Sequence, residues 1–165
     1  MMRKVFLDLD GVFADFHGFA KNYCGYEYNE DPKGTWEKLD QVDHLFMHLN
    51  PLPFAKPFFD AIVNICEEKF GRGSVEILTA LPLRTGKLLT APSDKISWVN
   101  NYLSNRIVVN CVDHWSKKKH FCQPNDILID DMLRNCNDWD AVSGISIWHV
   151  DQETTLNNLK ILIGE

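Results

Sequence analysis

The chain lacks any apolar run approaching the about 20 residues that a membrane-spanning helix needs. Its opening, Met1-Met2-Arg3-Lys4, leads into an apolar stretch that Asp8 and Asp10 interrupt, so no secretory leader is expected. Cysteine is sparse. Cys24, Cys66, Cys111, Cys122 and Cys136 are scattered, odd in number and never in Cys-x-x-Cys spacing, which argues against a disulfide framework and a zinc site. Reduced thiols and a cytoplasmic location are the expectation. Positive charge is also short: 17 Lys and Arg against 23 Asp and Glu leave a net charge of −6. Bulk charge therefore does not favour nucleic acid or a membrane surface, and an anionic ligand would need local cations or a metal ion. No repeat or low-complexity tract appears. What remains is a soluble-type composition, 45% hydrophobic over 165 residues, enough for one domain with a core.

Strand-like and helix-like segments alternate along the chain. Val5 to Leu9, Val75 to Leu78, Ile107 to Val109, Ile127 to Ile129 and Ile145 to Trp148 read as strands. Between and after them, helices are expected over Phe13–Tyr23, Ala55–Phe70, 95–103 with Ser93-Asp94 as cap, 115–122 and 154–163, with 135–141 helical or looped. Residues 24–50 are polar and aromatic and read as a small helical insertion roofing the end of the first strand. The alternation predicts an α/β fold, a Rossmann-like parallel sheet with helices on both faces.

The chemistry concentrates at strand ends. Val5-Phe-Leu-Asp-Leu-Asp-Gly-Val12 delivers Asp8 and Asp10 into a glycine turn at the carboxyl end of the first strand, where open α/β sheets bind ligands. The second strand ends in Thr79, and the fourth in Asp130-Asp131 after the basic run Lys117-Lys118-Lys119. Parallel strands bring these ends to one edge. Clustered carboxylates suit Mg²⁺, and a lysine and a hydroxyl beside it suit a phosphoryl group.

This set resembles the four motifs of the haloacid dehalogenase-like phosphohydrolase superfamily: Asp8-Leu-Asp-Gly-Val12, Thr79 after Ile77-Leu78, a lysine of the 117–119 run, and Ile129-Asp130-Asp131. Within it, the chain is similar to the 5′(3′)-deoxyribonucleotidase family. That likeness rests on Asp8-Leu-Asp-Gly-Val-Phe-Ala-Asp-Phe16, Leu49-Asn-Pro-Leu-Pro53, Leu78-Thr-Ala-Leu-Pro82 with Lys95-Ile-Ser-Trp98, and Asp126-Ile-Leu-Ile-Asp-Asp131 with Asn135. Family members carry Thr-Ser where this chain has Thr79-Ala80, one hydroxyl fewer, and Gly-Ala where it has Phe54-Ala55.

The resemblance implies a Mg²⁺-dependent phosphatase acting on nucleoside monophosphates, deoxyribonucleotides first, within a single domain carrying the cap at about 24–50. Asp8 is then the nucleophile and Asp10 the acid and base, with Asp8, the Asp10 carbonyl and Asp131 as metal ligands and Asp130 in support. Thr79, Lys95 and Lys118 are the expected phosphate contacts, with Lys119 nearly equal to Lys118. Phe16 and Trp36 can stack on a base; core packing is the competing role for both. His44-x-x-x-His48 has metal-like spacing without the acid of a zinc protease, and reads as an exposed or capping pair; His149 reads as structural. An exposed aromatic insertion is compatible with a homodimer. The rivals are a phosphatase for another small phosphomonoester or a 3′-phosphate end, and a non-catalytic nucleotide-binding module.

Overall fold

Val5, Phe6 and Leu7 are all buried, because parallel neighbours flank β1 (Val5–Leu7) on both edges: β2 (Val75–Ala80) and β4 (Ile127–Asp130). The computed structural model, which describes residues 3–164, completes the sheet with β3 (Val108–Val112) beside β2 and β5 (Ile145–Trp148) beside β4. All pairings are parallel, in the order β3-β2-β1-β4-β5. The chain thus builds outward from β1 to β3 and returns to place β4 against β1. The reversal opens a crevice at the carboxyl ends of β1 and β4, where such sheets take their ligands.

The period of two along a strand divides the core between the faces. Val5, Leu7, Ile77, Ile127 and Ile129 pack with Ile62 of α3 (Ala55–Phe70), Trp98 of α4 (Ala91–Tyr102) and Leu159 of α6 (Gln152–Ile163). Phe6, Leu78 and Leu128 form a second cluster with Trp139 of α5 (Leu133–Asp140). The Phe6 and Trp139 rings meet edge to face at 5.4 Å, and the indole N–H donates to the Asp126 carbonyl at 3.0 Å, so the buried polar atom is satisfied.

Several boundaries differ from the expectation. The first helix, α1 (Phe16–Cys24), starts three residues late, because Phe13 and Ala14 donate their N–H groups to the Leu9 carbonyl in a turn and Asp15 caps Gly18 N at 2.9 Å. Tyr23 is half exposed, its ring stacked on that of Phe19 at 6.0 Å. Helix α4 starts at Ala91, with Pro92 in its first turn, so Asp94 lies inside the helix instead of capping it. The third strand lies later than expected because its register follows β2 from Glu76 to Ala80. Residues Trp115–Phe121 form a 3₁₀ helix.

The 24–50 segment holds a 3₁₀ turn at Tyr28–Glu30, helix α2 (Pro32–Leu39) capped by Asp31, and a 3₁₀ turn at Leu45–His48. Leu39, Leu45 and Phe46 bury into the main core and fix this segment over the sheet edge. Among the described residues, no helix is long and apolar enough to cross a membrane, and Cys24, Cys111, Cys122 and Cys136 are free thiols.

Candidate active site

The main chain carries the sheet ladder one residue past β1: Asp8 N donates to the Ile129 carbonyl at 2.9 Å. The chain then turns at Gly11, whose φ of +81° disfavours any side chain. A Cβ on Gly11 would also fall 2.1 Å from Asp131 Oδ2. The turn after β1 and the end of β4 therefore approach closely, and one oxygen each of Asp8, Asp130 and Asp131 lies within 4.8 Å of the others.

Lys118 enters this cluster from the 3₁₀ helix. Its ammonium, buried, lies 2.8 Å from Asp8 Oδ1 and 2.7 Å from Asp130 Oδ2. Burial works against its charge, but the two carboxylates outweigh burial and raise its pKa. Its neighbours turn away, Lys117 toward Asp113 and Lys119 toward Asp138. Asp130 is fully buried and spends both oxygens on protein donors: Met132 N, the Asn135 amide and Lys118. It orients the lysine.

One ammonium does not balance three carboxylates. Burial and repulsion from Asp8 push Asp130 up to about 6, while Lys118 pulls the other way. Burial, then Asp8 and Asp130, push Asp131 up to about 8. Asp131 Oδ1 and Asp10 Oδ1 are buried without a hydrogen-bond partner. Hard oxygens, excess negative charge and unsatisfied acceptors together fit a bound metal ion. Of the expected ligands, the fold brings the carboxylates of Asp8 and Asp131 together with that of Asp130, while the carboxylate of Asp10, whose carbonyl is the expected ligand, pairs with Lys95.

Asp10 Oδ2 accepts from Lys95 Nζ at 2.5 Å. Lys95 is fully buried; it also donates to Thr79 Oγ1 at 2.8 Å and the Ala80 carbonyl at 2.9 Å, and lies 4.4 Å from the centre of the Phe46 ring. All three ammonium donors are spent on the protein. Lys95 and Thr79, both expected at the phosphate, stand behind Asp10 and do not line the cavity.

That cavity, about 900 Å³, is lined by Asp8, Asp10, Lys118 and Asp131, with Phe16 and Trp36 in its wall. The two rings stack on each other at 5.2 Å and 26°. The Trp36 indole donates to Tyr28 Oη at 3.1 Å, which holds the wall in place. His44 pairs with the buried Asp94, which raises its pKa, and His48 meets the Asp43 carbonyl; the two form no common site. Buried His149 contacts Thr155 Oγ1 at 2.8 Å.

Sequence reasoning assigned no role to Tyr28, His114, Trp115 or Arg134, all of which line the cavity. None of the four belongs to a motif, and only their convergence in space marks them. Comparison with protein-family models and with curated proteins finds no significant match to the chain.

Proposed function

We propose that the protein is a Mg²⁺-dependent phosphatase acting on (deoxy)nucleoside monophosphates through an aspartyl-phosphate. The observation that carries this reading is the meeting of Asp8, Lys118 and Asp131 on the floor of one cavity that Phe16 and Trp36 also line. Asp8, Asp131 and the Asp10 carbonyl are the residues that would hold Mg²⁺, and the ion, when bound, supplies charge neutralisation for the carboxylates and the phosphoryl oxygens.

Asp8 is the nucleophile. Its oxygen forms a bond to phosphorus while the ester oxygen leaves, and Asp10 gives that oxygen a proton. Asp10 then takes a proton from water, which attacks the phosphorus and releases phosphate and free Asp8. Lys118 holds Asp8 in position and compensates charge on the phosphoryl group. Lys95 acts one step removed, by fixing the Asp10 carboxylate. The resemblance of the strand-end motifs to the 5′(3′)-deoxyribonucleotidase family supports the nucleotide as substrate. Trp36 in the cavity wall adds to this, since base–aromatic stacking contributes about 1–3 kcal/mol, while the buried Phe16 packs behind it in the core.

The test is phosphate release from deoxy- and ribonucleoside 5′- and 3′-monophosphates, sugar phosphates and p-nitrophenyl phosphate, with Mg²⁺ and with chelator. Metal-dependent release concentrated on nucleotides is expected. Asp8→Asn is expected to lower kcat about 10⁴-fold or more; Mg²⁺-dependent release that persists in this variant overturns the mechanism.

A further inference from the structure

The cations that line the cavity are not equivalent. Lys118 is committed to Asp8 and Asp130, and Lys33 lies 3.9 Å from Glu37. Arg134 is, among the described residues, the one lysine or arginine lining the cavity that makes no ion pair. Its guanidinium carbon lies 4.1 Å from the centre of the Trp115 ring, and Trp115 in turn packs on His114 at 4.8 Å. A guanidinium held against a ring face keeps its N–H donors for another acceptor. None of those donors is spent on the described protein.

Arg134 is not placed to compensate the acid cluster's charge in the way Lys118 does. It lies in the first turn of α5, three residues beyond Asp131, so at most about 11 Å separates their Cα atoms. The cavity is at the upper end of the about 300–1,000 Å³ usual for small-molecule sites. It has room for a ligand that reaches past the floor.

We propose that Arg134, presented by Trp115, binds a second phosphate on the substrate, so that the preferred ligand is a nucleoside bisphosphate. This rests on the phosphatase reading and names its substrate class. A phosphate suits the site because a guanidinium fork pairs with it through two parallel hydrogen bonds.

The test is equilibrium binding, with chelator present so that turnover does not intervene, of thymidine 3′,5′-bisphosphate and thymidine 5′-monophosphate to the whole protein and to Arg134→Gln and Arg134→Lys. The wild type is expected to bind the bisphosphate about tenfold more tightly than the monophosphate. Arg134→Gln brings the ratio close to one with monophosphate affinity unchanged, and Arg134→Lys falls between. Equal affinity for both ligands in the wild type, no binding of the bisphosphate, or an equal loss for both in Arg134→Gln overturns the proposal. The phosphatase reading fails on a different result, the absence of Mg²⁺-dependent release from the phosphomonoester panel, so the two failures are distinguishable.

Discussion

Lys95 shows how a buried charge is kept in place at the scale of one side chain. Its ammonium has a carboxylate, a hydroxyl, a carbonyl and a ring face around it. Replacing it by methionine removes the cation and leaves Asp10 and Thr79 without their partner. Breaking a buried pair in this way costs about 3–5 kcal/mol. The low end is expected here, because the Asp10 side chain keeps a quarter of its surface exposed. A denaturant titration checks the loss, and kinetics discriminate the role. Lys95→Met is expected to lower kcat with little change in KM, since Lys95 does not line the cavity. Gly11 is constrained just as tightly by space. Gly11→Ala combines a left-handed φ with a contact on the Asp131 carboxylate. It is expected to lose about 1–2 kcal/mol from the backbone alone, seen as a lower unfolding midpoint, and more if Asp131 must shift.

At the scale of elements, the 24–50 segment is tied to the sheet through α4. His44, just before the 3₁₀ turn at Leu45–His48, contacts Asp94 Oδ1 at 2.9 Å, and Thr90 donates to the other oxygen of Asp94 at 2.7 Å. Asp94 precedes Lys95, so this strap and the Asp10 contact share one helical turn. The hydrogen bond and charge of Asp94 raise the His44 pKa, with Asp43 adding to it. Between the unfolded and folded values, the folded state binds the extra proton, so stability falls as pH rises. The contribution of this group is complete below its ordinary value near 6.5 and is lost as pH passes the raised folded value. Unfolding midpoints measured across that window are expected to decline, and His44→Gln is expected to remove that part of the slope. The element boundaries follow local chemistry. Pro92 starts α4 early, and the Asp15 side chain delays α1.

For the whole molecule, the acid cluster makes metal binding a stability question. Folding brings Asp8, Asp130 and Asp131 together with one lysine, so the metal-free protein carries unrelieved repulsion. An ion that binds only the folded state stabilises it by RT ln(1 + [L]/Kd), about 2.7 kcal/mol at a hundred times Kd. For a chain of this size, that is a rise in Tm of roughly 5–10 °C. Chelator-treated protein is expected to gain this on addition of MgCl₂, as measured by calorimetry. Asp131→Asn is expected to abolish the gain while leaving the metal-free protein no less stable, since burial and the neighbouring carboxylates already disfavour the charged form of Asp131 in the folded state.

The sequence by itself determined the alternation of strands and helices, and therefore the all-parallel sheet. It also determined that Asp8, Asp10, Thr79, Asp130 and Asp131 stand at strand ends. Both are local: apolar runs bounded by turns specify strands, and parallel pairing sends every carboxyl end to the same edge. Tertiary structure alone decided the partners. The run Lys117-Lys118-Lys119 favours Lys118 only narrowly over Lys119, and it is the turn of a 3₁₀ helix that sets Lys118 on Asp8. Lys95, expected at the phosphate, instead reaches Asp10 from α4. Arg134 and Trp115 belong to no motif and meet only because α5 packs against the 3₁₀ helix. Side-chain contacts between elements depend on packing distances and rotation, and no periodicity in a single chain encodes them.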